Sequence, residues 1–297
     1  MRLDVLGVAA GGGFPQWNCA CGLCDRCRRG DRLTPSTHAC LAVRGDDGRW
    51  CLANATPDVH TQIEQHPDLW PGPGVRSSPV ASVVLTDAEF DHTIGLLLLR
   101  EGAELDVWGT PAVLEVLAGD FPVKRLLERY ARFSWRELTP GKPAEVLPGV
   151  AVTPITISDR TPRFASRSEM PDAVVALRYE NPATGSAALW APQVGEWNDD
   201  VRAALDGVDV AFVDGTFWTA DELVRTGTGH LLAPAMGHLP VGIPGGIAEQ
   251  LGATPVPRRY LAHINNTNPI LDPDSPERAA LAAAGVEIAP RGTSIEL

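Results

Sequence analysis

The chain has 297 residues, of which 44% are hydrophobic, so it is long enough to bury a substantial core. Its formal net charge is −12, and no block of lysine and arginine residues stands out. A protein that follows a phosphate backbone needs a basic surface, so this composition disfavours a nucleic-acid substrate.

The sequence also bears on where the protein works. It has no apolar run near the roughly 20 residues that span a bilayer. Residues 3–10 predict a first strand that runs into three glycines, rather than a signal peptide. We therefore expect a cytoplasmic protein that does not enter the membrane. Its six cysteines are then expected to be thiols or metal ligands, not disulfides.

Segments with strand and helix character alternate along the chain. Predicted strands cover 3–10, 81–86, 105–110, 150–157, 174–180, 187–192, 208–216, 258–264, 286–289 and 293–297, and a hairpin covers 39–55. Predicted helices cover 58–64, 93–100, 113–119, 123–133 and 199–205. Two strand-rich halves with helices, and no linker between them, predict an α/β fold built as one αββα sandwich domain over 1–297.

An acidic loop follows the predicted strand at 81–86. The run TDAEFDH places Asp87, Glu89, Asp91 and His92 within six residues, at a strand end where sites are commonly built. Crowded carboxylates repel one another unless a cation neutralises them, so the run predicts a metal site. The alternative is a solvated acidic loop in which one aspartate caps a helix.

His263 is the third candidate ligand, because it lies at the end of the apolar strand predicted at 258–264. With Asp91 and His92 it makes two histidines and one carboxylate, the ligand set of non-haem Fe(II) oxygenases. Asp214, at another strand end, is either a fourth ligand or an acceptor that orients an imidazole. A structural histidine at the end of a core strand is the alternative reading of His263.

Four cysteines lie close together near the N-terminus, at Cys19, Cys21, Cys24 and Cys27. Four thiols within nine residues can surround a tetrahedral zinc ion, so residues 15–28 predict a structural zinc knuckle. Reduced thiols in a loop are the alternative.

The acidic loop resembles the signature His-x-His-x-Asp-His of the metallo-β-lactamase superfamily. Here it is Asp87-x-Glu89-x-Asp91-His92, so carboxylates replace the first two histidines and the Asp-His half is intact. His263 resembles the late histidine ligand of that superfamily. The resemblance implies a metallo-β-lactamase-like sandwich, and the two replacements favour one metal over a zinc pair.

Longer strings resemble the pyrroloquinoline quinone (PQQ) synthesis protein B family, above all GGGFPQWNC at 11–19 and HINNTNP at 263–269. This resemblance implies iron- and O₂-dependent hydroxylation of the tyrosine ring in a Glu–Tyr precursor cut from a peptide. It also implies a structural zinc on the first three cysteines, with either Cys27 or a residue from elsewhere as the fourth ligand. In superfamily members with a Gly-His pair at the position of His238, that histidine faces the substrate as an acid or base. Gln193 and His230 depart from the family pattern and could line the pocket.

Three functions are consistent with these observations. The leading one is an Fe(II)- and O₂-dependent hydroxylase with Asp91, His92 and His263 as ligands, Glu89 or Asp214 completing the shell and His238 moving protons. The second is a hydrolase that uses a metal-bound hydroxide. The third is a carrier of the cofactor or its precursor. In each case the partner is a small-molecule or peptide-derived compound, and the sequence allows a homodimer without determining the oligomeric state.

Overall fold

Two seven-stranded sheets form the centre of the computed structural model, which describes residues 1–101, 104–130 and 132–297. The first sheet has the order β14-β1-β2-β3-β4-β5-β6 and the second β13-β12-β11-β10-β9-β8-β7. The strands of the first sheet are β1 (Arg2–Gly7), β2 (Cys40–Arg44), β3 (Trp50–Ala53), β4 (Val80–Val84), β5 (Leu105–Gly109), β6 (Phe133–Glu137) and β14 (Ser294–Glu296). Those of the second are β7 (Ala144–Leu147), β8 (Val150–Arg160), β9 (Glu169–Glu180), β10 (Ala187–Ala191), β11 (Val210–Asp214), β12 (Arg258–Ala262) and β13 (Glu287–Ile288).

Short helices cover the outer faces of the two sheets. They are α1 (Gly22–Arg28), α2 (Val59–Glu64), α3 (Phe90–Thr93), α4 (Gly95–Leu98), α5 (Pro111–Ala118), α6 (Val123–Leu127), α7 (Asp199–Ala204), α8 (Glu222–Arg225), α9 (Ile247–Gly252) and α10 (Pro276–Ala283). Apolar side chains of α2, α4, α5 and α6 share a buried cluster with the first sheet, whereas α7, α9 and α10 contribute to the cluster around the second.

Strand β2 shows how the layers are built. Leu41 and Val43 belong to the buried cluster between the sheets, and Cys40 and Ala42 belong to the cluster beneath the helices. Successive side chains of a strand point to opposite faces, so a continuously apolar strand can serve two cores. The layered αββα sandwich expected from the sequence is confirmed.

Parallel strands place the functional loops at one edge. Strands β3 to β6 run parallel to one another in the first sheet, and β10 to β13 do so in the second. The carboxyl ends of parallel strands lie on the same edge, where ligands bind in α/β folds. The loops after β4, β10, β11 and β12 therefore carry the candidate site.

The predicted elements differ from the observed ones in a few places. The helix expected at 93–100 is two short helices that begin earlier, at Phe90. The helix expected at 123–133 ends at Leu127, Ala131 lies outside the described residues, and Phe133 begins the edge strand β6. This strand exposes Ser134, Arg136 and Glu137, so it lacks the apolar run of a central strand. None of the helices in the described ranges has the length and apolar character needed to cross a membrane.

Gly95, at the start of α4, predicts a measurable stability effect. Its N–H donates to the carbonyl of Ala55 at 2.9 Å, and a Cβ at this position would lie 2.7 Å from the Ala55 carbonyl carbon and still closer to the Thr56 carbonyl oxygen. Gly95→Ala must therefore push α4 off the loop after β3, and we expect it to lower the free energy of unfolding by about 1–3 kcal/mol. Urea denaturation measures this change. Leu98→Ala, at an exposed position of the same helix, is the control, and an equal effect of the two variants would contradict the prediction.

Candidate metal centre

The acidic loop leaves the buried strand β4 and enters α3. Its start is fixed by Asn54, whose side-chain oxygen accepts a hydrogen bond from the Thr86 N–H at 3.0 Å. The Thr86 hydroxyl in turn donates to Asp87 at 2.7 Å. These buried contacts hold the loop rigidly against the end of β3.

Asp91, His92 and His263 come together although 171 residues separate the last two in the sequence (263 − 92). The Nε2 atom of His263 lies 3.3 Å from Asp91 Oδ2, and the Nε2 atom of His92 lies 3.7 Å from the same oxygen. Two imidazole nitrogens and one carboxylate oxygen thus converge on one point. This is the ligand set predicted from the sequence.

Asp87 orients the His92 ring. Its Oδ2 accepts a hydrogen bond from His92 Nδ1 at 2.7 Å, so in the neutral ring the proton stays on Nδ1 and the lone pair of Nε2 is directed at the cluster. Within the described part of the chain this Nε2 atom is buried and has no hydrogen-bond partner. A buried nitrogen without a partner is costly unless it binds something, so His92 fits a metal ligand.

The charges in this cluster favour a cation. Burial opposes ionisation of Asp91, but the neighbouring imidazoles of His92 and His263 outweigh it and hold the pKa of this carboxyl well below its usual range. For His92, burial lowers the pKa, but the negative charges of Asp87 and Asp91 prevail and raise it to about 9. Protons therefore neutralise the carboxylates where a metal ion would otherwise do so.

Thr216 positions His263. Its hydroxyl donates to Asp214 Oδ1 at 2.6 Å, and a hydroxyl has only one proton, so it accepts from His263 Nδ1 at 2.8 Å. Nε2 of His263 is then the free lone pair that faces Asp91. His263 has φ of +56°, an uncommon conformation for a residue other than glycine. Such strain at a strand end is typical of functional positions.

Asp214 and His238 form a buried pair beside this cluster. Asp214 Oδ2 accepts from His238 Nδ1 at 2.7 Å and from the Val194 N–H at 2.9 Å. Burial opposes ionisation of Asp214, but the charge and hydrogen bond of His238 lower the pKa of this carboxyl. Of the alternatives for Asp214, this geometry favours the acceptor that orients an imidazole. Asp214, His238 and His263 nevertheless lie close enough to form a second potential metal group.

Two of the carboxylates expected to bind metal do not join these groups. Asp87 is used by His92 and Thr86, and its Oδ1 accepts from the Glu89 N–H at 2.9 Å. Glu89 lies at the cavity wall but is not part of the ligand group. Burial and the charges of Asp87 and Asp91 raise the pKa of Glu89 to about 7. The sequence predicted both as ligands, whereas in this geometry Asp87 supports a ligand and Glu89 faces the space in front of it.

A cavity of about 400 Å³ opens over the ligands. Glu89, Asp91, His92, His238 and His263 all contribute to its lining. Gln193 lines it as well, as the sequence suggested, whereas His230 is exposed and not part of it. The volume is within the range of pockets for small organic ligands.

Sequence reasoning missed much of the cavity wall. The hairpin between β8 and β9 contributes Arg160, Arg163 and Phe164, and Phe90 and Phe217 add aromatic surface. Trp17, which is 86% exposed, and Trp190, which is fully buried, do not line the cavity. Phe90 lies inside the acidic motif, so its position next to Asp91 could have indicated from the sequence that it borders the site.

Three of the four clustered cysteines come together near the N-terminus. Cys19, Cys21 and Cys24 can share one metal ion, and the side-chain nitrogen of Asn266 lies 3.2, 3.8 and 3.4 Å from their sulfurs in that order. Rotating this amide by 180° would present its oxygen to a zinc ion, since the two ends of the amide have the same shape. Cys27 is not in the group, because its thiol on α1 points to the Leu33 carbonyl at 3.8 Å. Of the two possibilities for the fourth ligand, Cys27 or a residue from elsewhere, this geometry favours the second, at the position of Asn266.

Comparison with known proteins points to one family. A family model described as a beta-lactamase superfamily domain matches residues 49–264. The coenzyme PQQ synthesis protein B of Cupriavidus necator is 43% identical over 302 residues, covering 99% of each chain. The protein of the same name from Azoarcus sp. is 42% identical over 304 residues and covers all of both chains.

Solved structures agree with this picture. The zinc(II)-bound PqqB of Methylobacterium extorquens is 33% identical and superposes with a TM-score of 0.92 over the full length of both chains. A diphosphatase of the PhnP family superposes with a TM-score of 0.68 at 18% identity, covering all of this chain and 97% of that one. The second likeness concerns the fold alone.

The hydrogen bond from His92 to Asp87 predicts how metal affinity responds to mutation. Asp87→Asn keeps the shape but no longer favours the protonated Nδ1, so we expect metal affinity at the His92 site to fall about 10- to 100-fold. Competition with a chromophoric chelator measures it. The cysteine-bound metal should stay in place and serves as the internal control. Unchanged affinity at the His92 site would mean that Asp87 does not orient the ligand.

The positions of the cysteines predict different zinc contents for two variants. Cys19→Ser removes one of the three converging thiols, so we expect it to lose the knuckle metal. Cys27→Ser changes a thiol that faces Leu33, so we expect zinc content at wild-type level. Elemental analysis of purified protein measures both. Zinc loss in Cys27→Ser with retention in Cys19→Ser would reverse the assignment.

Proposed function

This chain belongs to the coenzyme PQQ synthesis protein B family, and from this premise we propose that it hydroxylates a tyrosine-derived precursor of PQQ or a related peptide-derived cofactor, using Fe(II) and O₂. The precursor expected from the family resemblance is a linked Glu–Tyr unit. The observation that carries the proposal is the convergence of His92 Nε2, His263 Nε2 and Asp91 Oδ2 beneath a cavity of small-molecule size.

In this proposal the residues of the site have two roles, metal binding and orientation of the ligands. Asp91, His92 and His263 would hold the iron, and the cavity next to them would take the precursor. When bound, Fe(II) would activate O₂, which by itself reacts slowly with a closed-shell organic substrate. Asp87 and Thr216 keep both imidazoles in the tautomer with a free Nε2.

His238 is the proton-transfer group in this proposal. Asp214 holds its Nδ1, so Nε2 remains for a phenol oxygen in the cavity. Each hydroxylation replaces an aryl C–H by C–OH with one oxygen atom of O₂. The other oxygen atom becomes water, which consumes two protons and two electrons from an added two-electron reductant such as ascorbate.

The decisive experiment is anaerobic reconstitution with Fe(II), followed by ascorbate, ¹⁸O₂ and the dipeptide Glu–Tyr or a tyrosine-like compound. We expect the product mass to increase by one or more ¹⁸O atoms. Protein loaded with zinc, and the variant His92→Ala, are the matched controls and should incorporate none. Absence of ¹⁸O with iron, together with ester cleavage by zinc- or manganese-loaded protein, would overturn the proposal.

A metal-dependent hydrolase is the second candidate, favoured by one observation. The group Asp214, His238 and His263 lies directly beside the first and shares His263 with it, so a second metal ion has potential ligands. A two-metal hydrolase would bind two ions per chain in addition to the knuckle metal. One active-site ion per chain in metal titrations favours the hydroxylase.

The proposed role of His238 gives a further prediction. His238→Gln can keep the contact with Asp214 but cannot transfer a proton, so we expect hydroxylation to slow by about 10²- to 10⁴-fold with iron content unchanged. Single-turnover rates and iron content are measured on the same samples. Loss of iron in this variant would show instead that His238 is a ligand.

A further inference from the structure

Three arginines in and next to the hairpin between β8 and β9 differ in their contacts. Arg167 forms an ion pair with Glu115 at 3.4 Å on the outside of the hairpin. Arg160 and Arg163 line the cavity instead, and neither guanidinium has a carboxylate within 4.0 Å or a hydrogen-bond partner among residues 1–101, 104–130 and 132–297. Two cationic groups thus remain available at the cavity mouth.

The hairpin holds these arginines in place. The Thr161 hydroxyl donates to the Arg167 carbonyl, and the Thr161 N–H donates to the Ser168 carbonyl at 3.1 Å, so the hairpin closes on itself. The N–H and hydroxyl of Ser166 both donate to Asp120, at 2.9 and 3.1 Å, which ties the hairpin to the segment after α5. Two arginines on an anchored hairpin lose less freedom on binding than two on a loose loop.

Two stacked aromatic rings lie beside the arginines and the metal ligands in the cavity wall. Phe164, next to Arg163, stacks on Phe90 with ring centroids 4.3 Å apart and an angle of 3° between the planes. Phe90 directly precedes Asp91 and is 46% exposed. A planar ring in the cavity would therefore meet apolar surface beside the metal ligands and the arginines.

Arg160 and Arg163 lie in an otherwise acidic environment. The whole chain has a net charge of −12, and Glu89 and Asp91 line the same cavity. These carboxylates would repel an acidic ligand unless positive charge compensated them. Arg163 is near enough to Glu89 to oppose the rise in its pKa that burial and the neighbouring aspartates cause.

We infer that Arg160 and Arg163 are the residues that bind the carboxylate groups of the substrate. Guanidinium groups bind carboxylates through paired, charge-assisted hydrogen bonds. The carboxylates lie at the hairpin and the ring extends past Phe164 toward His263. The inference rests on the proposed function for the identity of the ring, whereas the recognition of carboxylates rests on the arginines themselves.

Binding to zinc-loaded protein tests this inference without turnover. The probes are the dipeptide Glu–Tyr, with two carboxylates, and Gln–Tyr-amide, which has the same shape with both carboxylates replaced by amides. We expect wild type to bind the acid at least about tenfold more tightly, as measured by calorimetry. Arg160→Gln and Arg163→Gln should each weaken binding of the acid about five- to tenfold and leave binding of the amide unchanged.

Arg167→Gln is the matched control, because this arginine belongs to the same hairpin but pairs with Glu115. It should bind both probes as wild type does. Equal binding of acid and amide by wild type, no binding of either, or acid binding that persists in Arg160→Gln and Arg163→Gln would each overturn the inference.

The ¹⁸O experiment separates this result from the proposed function. Arginine-dependent binding without ¹⁸O incorporation would remove the hydroxylase and keep the carboxylate site. Incorporation of ¹⁸O with unchanged kcat and KM in Arg160→Gln and Arg163→Gln would keep the hydroxylase and remove the site.

Discussion

The site depends on one repeated interaction, in which a buried oxygen holds Nδ1 of an imidazole. Asp87 does this for His92, Thr216 for His263 and Asp214 for His238. Burying these carboxylates is costly, and the imidazoles compensate the cost only in this arrangement. The arrangement fixes which nitrogen each ring presents to the cavity. The atoms that Asp91, His92 and His263 offer to a metal ion therefore depend on side chains outside that group.

The fold could be predicted from the sequence because its main signals are local. Continuous apolar strands, a hairpin turn and the alternation of strands with helices were sufficient for the αββα sandwich and for most strands. The edge strand β6 was missed because Ser134, Arg136 and Glu137 face solvent, so burial did not select apolar residues there. Its partner is the preceding strand β5, from which it is separated by α5 and α6.

The candidate site was only partly predictable for a related reason. Asp91, His92 and His263 follow strand ends, and strand ends on one edge of a sandwich must lie near one another. The directions of side chains within a loop carry no such constraint. Asp87 turns toward the ring of His92 and Cys27 toward Leu33, although their neighbours in sequence converge on metal positions. Arg160 and Arg163 gave no signal, since surface arginines are common and only the folded structure places these two at the cavity.

The segment that follows β12 connects the two candidate metal centres. Only three positions separate His263, at one centre, from Asn266, which touches all three sulfurs of the other. Thiolates select zinc, whereas a nitrogen and carboxylate set accepts several divalent ions. The two candidate centres are thus coupled through a few residues of backbone, so a displacement of Asn266 at the cysteines is transmitted directly to the left-handed conformation of His263.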